Sequence, residues 1–249
     1  MVNYIYSNQL SLFGKPKIVG FGDDYFMVKE ISKILSKKVM IEKHYSHKVC
    51  NDATTHIHLG CFIDGEMRSV LQLGYSMNPQ SMSKICQDTL ISEYKELNRM
   101  WFDDVAPRNT ESKAISYTMK YLRGKYRKIK WVQSFADERC GRFGVVYQAA
   151  NFKFYGSHIS TFWSIDNEIY HDSSVTNGKR NKKAQLEAIN WKERAIRFDL
   201  KQFRYIYFID KRWIKKCLLN ELPYPKHGQL NGDICQNSPA SPSKTFAGP

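Results

Sequence analysis

The stretch SFADERCGRFGVVYQAANFKFYG, Ser134 to Gly156, decides the fold of this chain. The apolar, bounded run IKWVQSFAD predicts a buried strand, and RFGVVYQAANF predicts a helix with Val145, Val146 and Ala149 turned inward. FKFYGS then leads into another strand. Because the first strand ends at Asp137, this carboxylate is expected at the carboxyl edge of a sheet, where ligands of open α/β sheets bind.

Two helix residues can share a site with Asp137. Tyr147 and Asn151 are four residues apart, so they lie on one face of the predicted helix. A tyrosine hydroxyl can exchange a proton with a leaving group, and Asp137 can act as a base or a metal ligand. The alternative is that Asp137 only ends the strand in a turn and Tyr147 only packs against the sheet.

The flanking segments predict an α/β fold with a mixed sheet. DDYFMVKEISKILSKKVM predicts a helix capped by Asp23 and Asp24, and Asp64-Gly65 predicts a hairpin between HIHLGCFI and the run after it. EYKELNRMWFDD predicts a strand, and the next helix starts at Asn109 or Thr110. We expect one catalytic domain over residues 1–226, with basic C-terminal elements at about 176–220, and a disordered tail over residues 227–249.

The charge of the chain favours a polyanionic partner. The 249 residues carry a formal net charge of +14, with a pI near 9.4, and Lys and Arg in excess bind nucleic acid through counterion release. The alternative is a merely basic surface. Candidate phosphate contacts for double-stranded DNA are Lys125, Arg127, Lys128, Lys179, Arg180, Lys182 and Lys183.

Other features exclude several classes of protein. No apolar run is long enough for a membrane span and no signal peptide is visible, so we expect a soluble, intracellular protein without a membrane partner. The six cysteines have no zinc-site spacing, which favours free thiols. The chain has no GxGxxG or Walker lysine motif, which argues against dinucleotide and nucleotide triphosphate enzymes.

A polar cluster lies in the predicted loop EKHYSHKVCNDATT. His44, Tyr45 and His47 are close in sequence, and loops carry functional residues more often than their length warrants. His44 and His47 would form a non-heme iron site if Asp137 approached them in space. The alternative is a surface loop with two solvated histidines.

The combination of KHYSH, LNRMWFDDVAPRNTESKAIS, SFADERCGRFGVVYQAANFKFYG and FRYIYFIDKRW resembles the Mom family of bacteriophage DNA-modifying proteins. The block from about Glu96 to Gly156 also resembles the acyl-CoA-binding half of GNAT N-acetyltransferases. The Mom resemblance implies a GNAT-like fold and the addition of a carbamoylmethyl group to N6 of adenine in DNA, in the host cytoplasm, as protection from restriction. It places the catalytic residues at His44, Tyr45, Asp137 and Tyr147.

The resemblance also implies acetyl-CoA or another acyl donor, and an association with iron. Thr110, Glu111, Ser112 and Lys113 would hold the donor's phosphates at a helix N-terminus, with Asn151 nearby. The loop APRNTESK lacks the glycines usual in GNAT proteins, which argues against tight coenzyme A binding. Two alternatives stay open: an ordinary GNAT enzyme acylating a protein or small amine, and a basic DNA-binding protein without catalysis.

Overall fold

A computed structural model describes residues 1–10, 16–47, 54–138, 143–166, 168–172, 175 and 190–226. The described strands are β1 (Asn3–Leu10), β2 (Pro16–Gly22), β3 (Phe26–Glu30), β4 (Thr55–Ile63), β5 (Glu66–Gly74), β6 (Tyr94–Phe102), β7 (Trp131–Asp137), β8 (Lys153–Ile165), β9 (Glu168–His171) and β10 (Ile196–Phe208). The α-helices of the same part are α1 (Lys33–Lys43), α2 (Thr110–Lys125), α3 (Val145–Ala149) and α4 (Trp191–Arg194). Two 3₁₀ helices cover Pro79–Lys84 and Lys211–Lys216.

The ten strands form one mixed sheet in the order β1-β2-β3-β4-β5-β6-β7-β10-β8-β9. Strands β1 to β6 make an antiparallel meander, whereas β7 joins β6 in parallel after a crossover through α2. The predicted α/β class with a mixed sheet and flanking helices is therefore confirmed.

The hairpin predicted at Asp64-Gly65 is confirmed. Both residues have positive φ, 48° and 79°, which is the conformation that a tight two-residue turn requires. The turn sets the register of β4 against β5, with Ile63 opposite Glu66. The helix predicted from Asn109 or Thr110 is also confirmed, because α2 begins at Thr110.

The helix predicted from Asp23 is wrong in its first half. Phe26–Glu30 is strand β3, and α1 begins only at Lys33, where the Ser32 hydroxyl accepts a hydrogen bond from Leu35 N. The Asp23 carboxylate accepts a hydrogen bond from Phe26 N at 2.8 Å. It therefore closes the β2–β3 turn instead of capping a helix.

The inward face predicted for the helix after β7 is also wrong. In α3, Val145 and Ala149 are exposed and Val146 is half-buried, while Tyr147 is buried. Since α3 has only 5 residues, a single large ring decides which side packs. Tyr147 takes that position because its ring packs against those of Phe152 and Tyr205.

The chain divides into two compact units. The first unit comprises residues 1–134, 145–155 and 205–224, and its core includes Tyr94, Trp131, Ile206 and Phe208. The second unit comprises the described parts of 135–144, 156–204 and 225–249, and Ile165, Val175 and Trp191 form a core there. A single catalytic domain over residues 1–226 stays a prediction, and the predicted tail, 227–249, lies outside the described residues.

Cys61, Cys86 and Cys217 are free thiols, as expected. In the described ranges, every helix is too short or too polar to cross a bilayer.

Candidate active site

In the first unit, α1 positions the HYSH segment, His44 to His47, next to the sheet. Val39 and Met40 of this helix pack on Val70 of β5, which anchors α1 across the meander. The helix ends at Lys43, and the backbone then turns through His47, whose φ is 47°. This local path places His44 in a buried position, with 5% of its surface exposed.

The hydrogen bonds of His44 fix its tautomer. Its Nδ1 lies 3.1 Å from Ser46 N and 2.9 Å from Ser46 Oγ. A backbone N–H can only donate, so Nδ1 is the acceptor and the neutral ring carries its proton on Nε2. Ser46 Oγ accepts a hydrogen bond from Arg99 at 2.6 Å and donates its own hydrogen bond to His44 Nδ1.

Burial lowers the pKa of His44 to about 4, and the charges of Arg99 and His47 act in the same direction. The ring is therefore neutral at physiological pH. In this state Nε2–H is a hydrogen-bond donor, and the ring has no second lone pair for use as a base.

Tyr45 and His47 flank this ring in different ways. The Tyr45 ring lies 4.3 Å from that of His44, centroid to centroid, and 63% of Tyr45 is exposed. His47 Nδ1 lies 2.8 Å from Ile41 O, and because a carbonyl only accepts, Nδ1 carries the proton. A neutral His47 therefore presents the lone pair of Nε2, the opposite polarity to His44.

A polar row crosses the meander beneath α1. His58 of β4 is opposite Gln72 of β5, which is opposite Arg99 of β6. The Ser36 hydroxyl of α1 lies 3.0 Å from His58 Nδ1 and accepts from Gln72 Nε2 at 2.8 Å. The Gln72 Oε1 atom is buried without a hydrogen-bond partner in the described chain. Polar side chains under a helix need such a network, because unpaired buried groups destabilise the fold.

A β-bulge aims Arg99 at this row. Gln72 pairs with Arg99 and Leu73 pairs with Leu97, so Asn98 is the extra residue of β6. Regular alternation would place Leu97 and Arg99 on one face. The bulge instead turns Arg99 to the face covered by α1, where it reaches Ser46.

Strand β6 also separates early from β7. Parallel pairing joins only Tyr94, Lys95 and Glu96 to residues 131–133 in the part of the chain that the structure describes. At the next position Ser134 Oγ, a side chain, donates to Leu97 O at 3.2 Å. From Asn98 onward, β6 has no backbone pairing with β7 among the described residues.

Tyr147 and Asn151 also belong to the first unit. The Tyr147 ring lies 5.5 Å from that of Tyr205 and 5.8 Å from that of Phe152, and α3 packs against α2. The Tyr147 ring is therefore packed in the first unit, and its catalytic role stays a prediction. Asn151, two residues after the end of α3, is exposed and has a φ of 64°.

Asp137 belongs to the second unit, where it is the half-buried last residue of β7, as predicted. Phe135 shares its face of the strand by alternation. The Phe135 ring lies 5.2 Å from the His158 ring and 5.4 Å from the Arg204 guanidinium carbon. Burial, aided by the charges of Arg204 and His171, lowers the pKa of His158 to about 4.

The first turn of α2 has an incomplete cap. Asn109 makes no capping hydrogen bond with its side chain, while Thr110 N donates to Pro107 O and Lys113 N to Asn109 O. The amides of Glu111 and Ser112 have no such partner among the described residues. The ammonium of Lys113 lies 4.0 Å from the Phe26 ring centroid, so it is directed toward β3.

The residues predicted to contact phosphate differ in their exposure and ion pairing. The ammonium of Lys125 forms an ion pair with Glu30 at 2.6 Å and is largely covered. Arg127 and Lys128 are exposed. Lys179, Arg180, Lys182 and Lys183 lie outside the described residues.

The described donor set does not fit an iron site. Over residues 1–10, 16–47, 54–138, 143–166, 168–172, 175 and 190–226, no three His, Cys, Asp or Glu side chains are grouped to hold a metal ion. The set His44, His47 and Asp137 stays a prediction from sequence.

Sequence reasoning passed over Ser46 and Arg99, although both lie in segments that it singled out. Ser46 is the residue between Tyr45 and His47, and a serine next to a buried histidine is a signal for a tautomer-fixing contact. Arg99 is a cation in an otherwise strand-like run. Its role depends on the bulge, for which the sequence offers no local signal.

Comparison with known proteins assigns the chain to a family. Methylcarbamoylase mom of Escherichia phage Mu is 45% identical over 213 residues, which cover 84% of this chain and 88% of that protein. The solved structure of ribosomal-protein-S5-alanine acetyltransferase from Vibrio fischeri is similar with a TM-score of 0.45 at 8% identity, covering 78% of this chain and 98% of that one. An acetyltransferase from Salmonella typhimurium, which modifies the N-terminal serine of ribosomal protein L7/L12, is similar with a TM-score of 0.43 at 12% identity, covering 76% and 97%. The model of the Mom protein family matches residues 25–226, and this chain belongs to that family.

Proposed function

We propose that this protein is a DNA-modifying transferase that adds a carbamoylmethyl-type group to N6 of adenine in double-stranded DNA, in the bacterial cytoplasm. The observation that carries the proposal is the 45% identity to the phage Mu methylcarbamoylase over most of both chains. The net charge of +14 supports a polyanionic substrate.

The neutral tautomer of His44 supports a role as a hydrogen-bond donor. A neutral imidazole with a proton on Nε2 donates a hydrogen bond without carrying a charge, so it suits an acceptor atom of the base or of the donor. The Arg99–Ser46 pair holds this tautomer. The Tyr45 ring beside His44 is exposed and offers a face for a base turned out of the duplex, a step that costs a few kcal/mol of unpairing.

Proton removal from the N6 amine needs a different group. Asp137 is the candidate base and Tyr147 the candidate proton carrier, since His44 has no free lone pair. The new bond joins N6 to a methylene carbon, so direct attack on an acetyl thioester carbonyl does not yield this product. The donor must present an activated methylene carbon.

The residues present fit an acyl donor of the coenzyme A type only in part. The amides of Glu111 and Ser112 suit a phosphate, and the backbone of β6 that β7 leaves unpaired suits an amide-bearing arm. The Glu111 carboxylate in the same turn, and the direction of Lys113, disfavour a strongly held pyrophosphate. Thr110 to Lys113, with Asn151, remain the residues that would hold the donor. We assign no step to iron, because the described donor set does not fit it.

The test is nucleoside analysis of plasmid DNA from cells that express the protein. We expect an adenosine of increased mass, and expect Asp137→Ala and His44→Asn to abolish it. Tyr147→Phe should reduce it by about 100-fold, within the range for loss of one proton-transfer group, while Tyr25→Phe, at an exposed turn position, should leave it unchanged.

Two other outcomes would replace the proposal. If all adenine were unmodified, the alternative function, an acyltransferase that acts on another amine, would be favoured. Protection from restriction that survives in Asp137→Ala and Tyr147→Phe would indicate a DNA-binding protein without catalysis.

A further inference from the structure

A cavity lies in the first unit, on the face of the sheet opposite to Arg99. Its volume is about 530 Å³. Strands β4 and β6 form its floor, and the C-terminal end of α2 with the following loop forms its wall. The lining residues used below are His56, Tyr75, Lys95, Tyr126, Arg127 and Lys128.

Lys95 is the unusual member of this lining. Only 6% of its surface is exposed, and its Nζ lies 3.8 Å from the centroid of the Tyr75 ring. In the described part of the chain, no carboxylate lies within ion-pair distance of this ammonium. A buried charge held only by an aromatic face destabilises a fold, so its retention needs a reason.

The carboxylate of Glu30 contacts two residues of the cavity lining, Lys125 and Tyr126. Glu30 binds the Lys125 ammonium at 2.6 Å and accepts a hydrogen bond from the Tyr126 hydroxyl at 2.7 Å. Lys95, Arg127 and Lys128 therefore keep three positive charges without a paired carboxylate among the described residues. The charge of Lys95 also helps to lower the pKa of His56, after the larger effect of burial.

We propose that this cavity is a phosphate-binding site that takes a phosphodiester group of the DNA substrate, with Lys95 as its buried anchor and Arg127 and Lys128 at its rim. An ammonium and a guanidinium match the oxygens of a phosphate, and the Tyr75 face keeps Lys95 in place when the site is empty. The inference rests on the proposed function for the identity of the polyanion. A phosphorylated small molecule offers the same chemistry from another source.

Lys95→Met is the test, since it keeps the length of the side chain and removes the charge. Binding of a labelled duplex of about 20 base pairs is measured by fluorescence anisotropy between about 50 and 200 mM salt. We expect affinity to fall about tenfold at low salt, and the slope of log Kd against log salt to fall in magnitude by about 0.9, the value for one phosphate contact. Lys95→Arg should retain most of the slope.

The matched control is Lys38→Met. Lys38 is an exposed lysine of α1 near Glu42, and its loss removes the same net charge. It should leave affinity and slope close to wild type. Thermal unfolding shows that each variant is folded, and Lys95→Met should melt at the wild-type temperature or above, because an unpaired buried charge is gone.

Two results would overturn the proposal. In the first, Lys95→Met and Lys38→Met change the salt slope equally, so the effect is net charge alone. In the second, Lys95→Met leaves duplex binding unchanged but loses thermal stabilisation by adenosine diphosphate, so the occupant is a small molecule. The binding assay contains no group donor, so a failure of adenine modification would overturn the proposed function without changing this result.

Discussion

The protonation of His44, a candidate catalytic residue, is coupled to the stability of the fold. Its pKa of about 4 lies below the value of about 6.5 for an unfolded imidazole, so the unfolded chain takes up this proton first as pH falls. The stabilising contribution is therefore complete above about pH 6.5 and is lost as pH falls toward 4. The difference in pKa corresponds to at most about 3 kcal/mol.

A pair of variants tests this linkage. Between pH 6.5 and 4, the free energy of unfolding of His44→Gln should fall less steeply than that of wild type, by up to about 3 kcal/mol over the interval. His47→Gln removes an exposed ring of the same segment and should keep most of the wild-type slope. Urea titrations at several pH values measure both. Equal slopes in all three proteins would show that His44 titrates normally.

At this scale the sequence revealed the segment but not the contacts. KHYSH indicates a functional loop because its histidines and tyrosine are close together. Which nitrogen of His44 carries the proton depends on Ser46 N and on Arg99, which is 53 residues from Ser46 in the chain. The spacing of residues in the sequence does not reveal the bulge that places Arg99 on the other face of the sheet.

The β4–β5 hairpin allows a test at the scale of elements, because two of its glycines are required for different reasons. Gly65 has a φ of 79°, and a methyl group added at its Cα would have no atom within 4 Å, whereas a methyl group on Gly74 would overlap the carbonyl of Thr54. We expect Gly65→Ala to cost about 1 kcal/mol through backbone strain alone. Gly74→Ala should cost about 3 kcal/mol through overpacking.

Denaturant unfolding measures both glycine variants. The turn variant should retain DNA modification, since Gly65 lies at a solvated hairpin tip. A Gly65→Ala protein as unstable as Gly74→Ala would contradict the assignment of strain at the first site and steric overlap at the second.

Sequence pattern succeeded for elements with local signals and failed where tertiary context decided. The Asp64-Gly65 turn and the start of α2 are encoded by neighbouring residues. Near α1, the apolar residues Phe26, Ile31 and Ile34 are spaced as in an amphipathic helix. However, Ile34 is 82% exposed and Phe26 is buried in a strand. Pairing of β3 with β4 overrides that spacing, and the partner strand follows only after the whole of α1.

For the whole molecule, the position of charge should matter more than its sum. We expect the double variant Arg127→Gln with Lys128→Gln to lower the magnitude of the salt slope of duplex binding by about 0.9, the value for the one phosphate at whose rim both residues lie. Lys37→Gln with Lys38→Gln makes the same change in net charge on α1 and should lower it by less than about 0.5. Anisotropy at several salt concentrations compares them. Identical slopes would mean that a diffuse positive field, and no defined face, attracts DNA.

The position of β10 in the sheet has a consequence for biosynthesis. Strands β1 to β6 pair with their neighbours in sequence, so the meander can assemble while the ribosome is still translating. Residues 205–208 of β10, however, belong between β7 and β8, both of which are made well before them. Until translation passes residue 208, those two strands present unpaired backbone edges that any other extended chain can occupy. A message truncated within this interval would therefore yield an aggregation-prone fragment and not a smaller enzyme.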